Sequence, residues 1–275
     1  MIILSWNIQA AQGVDGLVSI KRIASDIKAL ADADVICLQE VLHTHGENQL
    51  LQYQQLFPEH TLIFGPAVDR LDGKYRLQFG NIILCRLPLL QVVHHKLPQP
   101  AEPEAKHMPR AAIEVIVEHA NEPLRIVTTH LDYFAQQQRS AQTSYLASHQ
   151  QQCVSRFKHP SPAGGEAQFA ALPETDLSVY CGDYNFNVDS TDYQCLTSQT
   201  SDADDEALHD CWRLVHDSTP HEPTCGIFDH IQWQEGPHCR DFFFVSSALA
   251  SRVKRMAVDT NTAASDHQPL YIEID

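Results

Sequence analysis

The chain has 275 residues and is 43% hydrophobic, so it can bury a sizeable core in one large domain or two small ones. Lys and Arg number 19 against 35 Asp and Glu, and the formal net charge of −16 argues against nonspecific attraction to nucleic acid phosphates over the whole surface. A local basic groove stays open, because the first half is mildly enriched in basic residues: Arg70, Lys74, Arg76, Arg86, Lys96, Lys106 and Arg110.

Neither terminus nor cysteine pattern indicates export. Met1 leads directly into the apolar residues 2–6, without a basic segment or a cleavage site, and no apolar run approaches the length of a membrane span. The 8 Cys form no CxxC pair, which favours reduced thiols over a disulfide framework. We therefore expect a cytoplasmic protein without a membrane partner, and no obligate protein partner is evident.

The first quarter of the chain predicts a strand, a helix and a strand. Residues 2–8 read as a buried strand, 17–30 as a helix and 34–40 as a second strand with an acid at its end. The helix carries one apolar stripe at i, i+3, i+4 spacing, which indicates core packing: Ile20, Ile23, Ala24, Ile27 and Leu30.

Further elements follow from apolar runs and turn signals. Residues 67–78 are polar and charged with a turn at Asp72-Gly73, and we predict an exposed loop there. We expect 91–97 to pair antiparallel with a strand at 80–86. The other predicted elements are helices over 47–57, 136–157 and 204–215, strands over 62–64, 111–118, 124–129, 177–181, 241–245, 252–258 and 270–274, and irregular segments over 98–109 and 159–176, with 220–236 unassigned.

This order, with no internal repeat and no splitting linker, predicts one domain over residues 1–275. Two strand-rich halves separated by a helical region indicate an α/β (α+β) protein in which two packed sheets have helices outside.

The apolar run 177–181 ends at Gly182, and Asp183 and Asn185 follow at i, i+2 spacing. In an extended segment that spacing places both side chains on one side, as a site requires, although all three residues are also ordinary turn formers. Other strand ends carry the same residue classes, namely Asn7, Glu40, His130, Asp241 and the pair Asp266-His267. Acids, amides and imidazoles without a Ser or Cys nucleophile suit water attack on a phosphate ester beside a hard divalent cation.

The ordered motifs resemble the endonuclease/exonuclease/phosphatase family, also called DNase I-like, in the form of a bacterial-type metal-dependent hydrolase. The matching segments span nearly the whole chain: Ser5-Trp6-Asn7, Leu38-Gln39-Glu40, Thr129-His130-Leu131, Gly182-Asp183-Tyr184-Asn185, Arg240-Asp241-Phe242 and Ser265-Asp266-His267. The resemblance implies a four-layer α-β-β-α sandwich with the site where strand ends converge.

The resemblance also implies roles for these residues. Glu40 is the expected principal Mg²⁺ ligand (with Mn²⁺ as a substitute), beside Asn7 and Asp266. Asp183 positions or deprotonates water, Asn185 and His130 contact the phosphate, and His267, oriented by Asp241, acts as base or donor. The choice of base between Asp183 and His267 stays open at this point.

Departures from the family pattern are mild. Tyr184 stands where Phe or Thr is common and Phe242 where Tyr is common, and neither change touches the chemistry. Arg110 resembles a family arginine near the cleft, and Arg110 and Asn81 are candidate phosphate contacts, each with a structural alternative.

The expected function is hydrolysis of a phosphate ester by in-line attack of activated water, with a nuclease or phosphodiesterase as the first hypothesis and nucleic acid as a candidate substrate. The alternative is a phosphodiesterase or phosphatase acting on a small molecule or a lipid headgroup. A catalytically inactive binding module is disfavoured because Glu40, Asp183 and His267 are all present. A zinc hydrolase is disfavoured because the sequence has no dense His/Cys ligand spacing.

Overall fold

The computed structural model describes residues 1–46, 48–198 and 207–275. Its strands form two mixed six-stranded sheets. The first contains, in spatial order, β11 (Val253–Val258), β12 (Leu270–Ile274), β1 (Ile2–Asn7), β2 (Val35–His43), β4 (Tyr75–Cys85) and β3 (Thr61–Asp72). The second contains β5 (Leu89–Lys96), β6 (Ala111–His119), β7 (Glu122–His130), β8 (Ser178–Asp183), β10 (Asp241–Ser246) and β9 (Leu208–Asp210).

Helices cover the outer faces of both sheets. The described helices are α1 (Ile20–Leu30), α2 (Gln49–Leu56), α3 (Gln136–Lys158), α4 (Thr191–Thr197), α5 (Cys211–His216) and α6 (Ser247–Ala250). The apolar face of α1 packs with residues of α2 on the first sheet, and Leu146 of α3 and Leu196 of α4 pack on the second. The helix-sheet-sheet-helix order confirms the predicted four-layer sandwich, while the single domain over 1–275 stays a prediction.

The central core lies between the two sheets. Alternate residues of each strand face it, such as Ile3 of the first sheet and Val115 and Val179 of the second, whereas Leu4 faces the outer helices. Both faces of each sheet are therefore covered, which explains the nearly continuous apolar runs at β1, β2 and β8. All eight cysteines lie within the described residues and are free thiols, as predicted.

The region predicted as a loop over 67–78 is instead a β-hairpin, so that prediction is wrong. Strands β3 and β4 pair continuously to Asp72 and Tyr75, and only the predicted turn at Gly73 was correct. The hairpin extends into solvent, where exposed charged side chains such as Arg76 and Asp69 pair across the strands. Polar composition excludes burial there but does not exclude strand pairing.

Two other expectations need correction. Residues 91–97 do not pair with β4, because the chain crosses to the other sheet at Pro88 and β5 pairs with β6. The helix predicted over 204–215 begins at Cys211, after the short strand β9, because the Asp210 carboxylate accepts the Trp212 amide and caps that helix. Residues 204–206 of that prediction, and Glu47 of the helix predicted over 47–57, lie outside the described residues.

Candidate active site

One edge of the sandwich collects the polar strand ends. Strands β1 and β2 run parallel in the first sheet, and β7 and β8 run parallel in the second. Their carboxyl ends carry Asn7, Glu40, His130 and Asp183, and Asp241 at the start of antiparallel β10 pairs directly with Asp183. The two halves of the chain thus deliver their functional groups to the same place.

Asn7 links the two sheets at this edge. Its Nδ2 donates to Glu40 Oε1 at 3.1 Å and to Asp183 Oδ2 at 2.9 Å. The Asn7 side chain is buried, and its Oδ1 accepts the Gln9 amide at 3.2 Å. Asn7 therefore holds two carboxylates from different sheets close together.

A β-bulge turns Glu40 toward the cavity. The pairing of β2 with β4 shifts register between Leu38 and Val41, and Glu40 adopts a left-handed φ of 61°. Burial, followed by the negative charge of Asp266, raises the pKa of Glu40 to about 7. A nearby cation would strongly stabilise the ionised form of a carboxylate in this environment.

Asp183, His267 and Asp241 form a second chain of contacts, which we call the cavity cluster. His267 Nδ1 donates to Asp241 Oδ2 at 2.8 Å, and its Nε2 lies 3.7 Å from Asp183 Oδ2. Burial by itself lowers the pKa of His267, but the charges of Asp241, Asp183 and Asp266 raise it well above its ordinary value. Burial raises the pKa of Asp183 to about 6, although the charge of His267 opposes this.

His130 faces the same carboxylates from β7. Its Nε2 lies 3.4 Å from Asp183 Oδ2 and its Nδ1 lies 3.8 Å from Glu40 Oε1. Burial, then the positive charges of Arg110 and His267, lowers the pKa of His130 well below its ordinary value. His130 is therefore a neutral imidazole at the centre of the site, able to donate or accept one hydrogen bond.

Asn185 and Asp266 are each held by hydrogen bonds to neighbouring segments. Asn185 has a left-handed φ of 54°, and its Nδ2 donates to the Leu131 carbonyl at 3.0 Å. Its backbone amide donates to Asp183 Oδ1 at 2.9 Å, so the turn after β8 also orients Asp183. Asp266 accepts a hydrogen bond from Trp233 Nε1 at 3.2 Å. The stretch 182–185 is thus both a turn and part of the site.

Arg110 and Asn81 differ in their surroundings. Arg110 is buried, lines the cavity and lies 3.6 Å from Asp132 Oδ2, and its Nε and Nη1 have no hydrogen-bond partner among the described residues. Its guanidinium is the buried positive charge that a phosphate requires. Asn81 donates instead to the Ala111 carbonyl at 3.2 Å and is not part of the cavity lining, so its phosphate role stays a prediction.

The site opens into a cavity of about 510 Å³. One side is aromatic: Tyr133 stacks edge-on against Phe134 and Trp233, and Phe134 is exposed. Lys106 Nζ lies over the Phe134 ring, 5.2 Å from its centroid. Trp233 lies in the unassigned segment 220–236, and the sequence reading identified none of these wall residues.

The donor set at the floor fits a hard divalent cation. Glu40 and Asp183 accept hydrogen bonds from the amide of Asn7, and the negative charge of Asp266 acts on Glu40. Asp241 Oδ1 is buried without a hydrogen-bond partner among the described residues. Asp183, Asp241 and His267 also form a compact group of potential metal ligands. Three or more acids at such short range are electrostatically costly unless a positive charge balances them.

Residues 4–267 match the model of the Endonuclease/Exonuclease/phosphatase family. The chain belongs to this family. Its members are phosphoester hydrolases that depend on divalent metals, and the chain is an enzyme of this class. No curated protein matches the chain in sequence.

Solved structures share the fold over the whole chain. An endonuclease/exonuclease/phosphatase from Beutenbergia cavernae is 22% identical, with a TM-score of 0.69 over 99% of this chain and 70% of the other. The mannosyl-6-phosphatase of Bacteroides thetaiotaomicron is 19% identical, with a TM-score of 0.71 over 100% and 99%. Truncated Caenorhabditis elegans TDP2 is 18% identical, with a TM-score of 0.65 over 98% and 95%. Among the described residues, none of the helices has the length and apolar character needed to cross a membrane.

Proposed function

We propose that this protein is a Mg²⁺-dependent phosphodiesterase that hydrolyses a P–O bond by in-line attack of water. The observation that carries the proposal is the meeting of Glu40 and His267, from the first-sheet side, with Asp183 of the second sheet in one cavity. Asn7 of β1 bridges the two carboxylates. Family membership supports phosphoester hydrolysis, and the oxygen-rich donor set supports Mg²⁺ over a softer metal.

Glu40, with Asp266 and Asn7, is the proposed holder of the metal. When bound, Mg²⁺ supplies positive charge that offsets the negative charge of the phosphate in the transition state. Mn²⁺ meets the same ligand requirement and is the expected substitute.

Asp183 is the proposed general base. His267 carries a raised pKa and is therefore an imidazolium, which cannot accept the proton of water, whereas Asp183 has a pKa of about 6 and is ionised at neutral pH. Asp241 holds the ring through Nδ1, so His267 Nε2 points toward Asp183 and the cavity. His267 then donates to a phosphate oxygen rather than abstracting a proton.

The remaining polar groups bind the phosphate. Arg110 offers unpartnered guanidinium N–H groups, Asn185 an amide and neutral His130 an imidazole N–H. Donors that are already in position when charge develops on the phosphoryl oxygens stabilise the transition state more than the ground state.

A phosphatase acting on a small phosphate monoester is the second candidate. The net charge of −16 disfavours a long polyanionic substrate, and a cavity of about 510 Å³ is of the size that holds a small molecule. One structural relative is named a mannosyl-6-phosphatase, which makes sugar phosphates reasonable test compounds.

One panel tests the proposal and separates the candidates. It contains bis-p-nitrophenyl phosphate, plasmid DNA, abasic DNA, single-stranded RNA, a lipid phosphodiester and small phosphate monoesters. We expect hydrolysis of diesters with Mg²⁺ or Mn²⁺ and complete loss in EDTA. Hydrolysis of monoesters alone would replace the leading candidate by the second, and hydrolysis that persists in EDTA and in Asp183→Ala would overturn both.

A further inference from the structure

A second group of potential metal ligands lies between the second sheet and α3, away from the cavity. His95 of β5, Glu114 of β6 and His149 of α3 each present one ligand atom within 4.8 Å of the others. Cys153, one helical turn after His149, places its Sγ 3.5 Å from His149 Nε2 but does not belong to this group. We call His95, Glu114 and His149 the α3 cluster.

The ligand atoms converge on one point. His95 Nε2 and His149 Nε2 both lie 2.9 Å from the same oxygen, Glu114 Oε2. In a tetrahedral zinc site with bonds of about 2.0–2.3 Å, neighbouring ligand atoms lie about 3.3–3.6 Å apart. The two observed separations of 2.9 Å have to widen by about 0.4–0.7 Å to admit an ion.

Each imidazole ring is oriented by a hydrogen bond at its other nitrogen, Nδ1. His95 Nδ1 hydrogen-bonds the Tyr145 hydroxyl at 3.0 Å, and His149 Nδ1 hydrogen-bonds the Tyr180 hydroxyl at 2.8 Å. Tyrosine hydroxyls can donate or accept, so each ring can carry its proton on Nδ1 and leave Nε2 free as a ligand. Hydrogen bonds of this kind to the distal nitrogen are characteristic of histidines that bind metals.

The other contacts of Glu114 leave one of its oxygens for an ion. Arg125 Nε donates to Glu114 Oε1 at 2.9 Å, which leaves Oε2 available. His95 is only partly buried, so an ion has an entry path from solvent.

We propose that His95, Glu114 and His149 form a zinc site that ties α3 to the second sheet. On binding, the proton of each neutral imidazole moves from Nε2 to Nδ1, and no electron is transferred. The three protein ligands come from three elements, and water is the fourth ligand on the partly exposed side of His95.

The position of the proposed zinc site on α3 indicates what the metal would stabilise. Helix α3 buries many polar side chains and few large apolar ones against the sheet, so hydrophobic packing contributes less to its docking than it does for α1. From the N-terminal part of α3, Gln142 Oε1 accepts the Asp132 amide at 2.9 Å, close to the cavity. A metal at the middle of α3 therefore also steadies the wall of the active site.

The test measures metal content and stability in the full-length protein. The zinc measurements use the Glu40→Gln variant, because this substitution weakens metal binding in the cavity. Zinc bound at the α3 cluster can then be distinguished from metal bound in the cavity. After growth with zinc and dialysis against Mg²⁺ buffer, we expect one equivalent of zinc by plasma mass spectrometry. The melting temperature should fall when a strong chelator removes it and recover with added Zn²⁺.

Three further variants locate the ion. His95→Ala and His149→Ala should each lose the zinc, whereas His94→Ala, which removes the exposed histidine just before His95 on β5, should keep it. With Co²⁺ in place of zinc, the visible absorption of a four-coordinate cobalt site should appear in Glu40→Gln and vanish on adding His95→Ala. If the protein contains no zinc and added Zn²⁺ does not change its melting temperature, the cluster is a metal-free hydrogen-bonded group. If His95→Ala and His94→Ala contain equal amounts of zinc, the ion binds elsewhere. Either result overturns the proposal.

Discussion

The cavity cluster and the α3 cluster use the same residue types in opposite ways. In the cavity cluster, His267 has one short contact, to Asp241 at 2.8 Å, and its other nitrogen lies 3.7 Å from Asp183. In the α3 cluster, both nitrogens of His95 and of His149 have partners within 3.0 Å. One group opens into a cavity and is incompletely satisfied, while the other is closed by a helix and complete.

This difference separates a site that exchanges ligands from one that holds structure. Buried polar groups are normally paired, so unpartnered atoms such as Asp241 Oδ1 and Arg110 Nη1 indicate where substrate or metal completes the arrangement. In the α3 cluster, both nitrogens of each imidazole have partners, and the proposed zinc would replace the two imidazole contacts to Glu114 Oε2. Substitutions in the cavity cluster should therefore change catalysis, and substitutions in the α3 cluster should change stability.

The largest expected effect is on catalysis. Asp183→Asn keeps the shape of the side chain but removes the proposed base, so we expect kcat to fall by about 10²–10⁴-fold with an unchanged melting temperature. Steady-state hydrolysis of the best substrate in the panel measures this. Asp189→Asn, an exposed acid on the segment after β8, is the matched control and should retain full activity. Equal activity in both variants would contradict the role of Asp183.

Glu114→Ala should mainly destabilise the fold. It leaves Arg125, with 1% side-chain exposure, without its close carboxylate partner, and breaking a buried ion pair in this way costs about 3–5 kcal/mol. Urea unfolding measures the change, with exposed Glu118→Ala on the same strand expected within about 0.5 kcal/mol of the parent. Activity per folded molecule should survive at low temperature. A variant that is inactive but stable would break the division between the clusters.

Phe134→Ala tests whether the aromatic wall binds substrate. If the substrate stacks on this ring, its loss costs about 1–3 kcal/mol, or roughly 5–150-fold in KM for substrates with an aromatic group. KM for a small aliphatic phosphate should change little. Phe157→Ala, an exposed phenylalanine on α3, is the control. A uniform change over all substrates would indicate a structural role for the ring.

The smallest expected effect is a pH dependence of stability in the metal-free protein. Between its ordinary value of 4.5 and about 7, folded Glu40 retains a proton that the unfolded chain has released, so stability falls as pH rises through this window. In EDTA, the free energy of unfolding of the parent should therefore fall relative to that of Glu40→Gln from pH 4.5 to 7. A parallel pH dependence in the two proteins would show that the pKa of Glu40 is not raised.

The sequence predicted the parts of the fold that depend on local patterns. The stripe from Ile20 to Leu30 and the apolar runs of β1, β2 and β8 correspond to real elements, because burial on a helix face or in a two-sided sheet leaves a periodic or continuous signal. The solvent-exposed β3–β4 hairpin has no such signal, and its charged residues therefore suggested a loop.

The sequence motifs predicted which residues are candidates for the site, but they did not predict how these residues are arranged. The motifs named Asn7, Glu40 and Asp183, yet no local signal reveals that one Asn7 amide bridges two sheets. The aromatic wall is formed by segments distant in sequence, at 133–134 and 233, and was therefore missed. The α3 cluster was missed for the same reason, since its members are separated by about 20 to 55 positions and share no spacing motif.

The left-handed backbone at Glu40 has a consequence for protein engineering. A residue other than Gly with φ near 60° costs about 1 kcal/mol or more, and glycine adopts this conformation without that cost. Directed evolution for heat resistance alone would thus favour Glu40→Gly, and the selected variants would be stable but would lack the proposed metal ligand. Selection for thermostable variants of this enzyme therefore has to include an activity screen at every round.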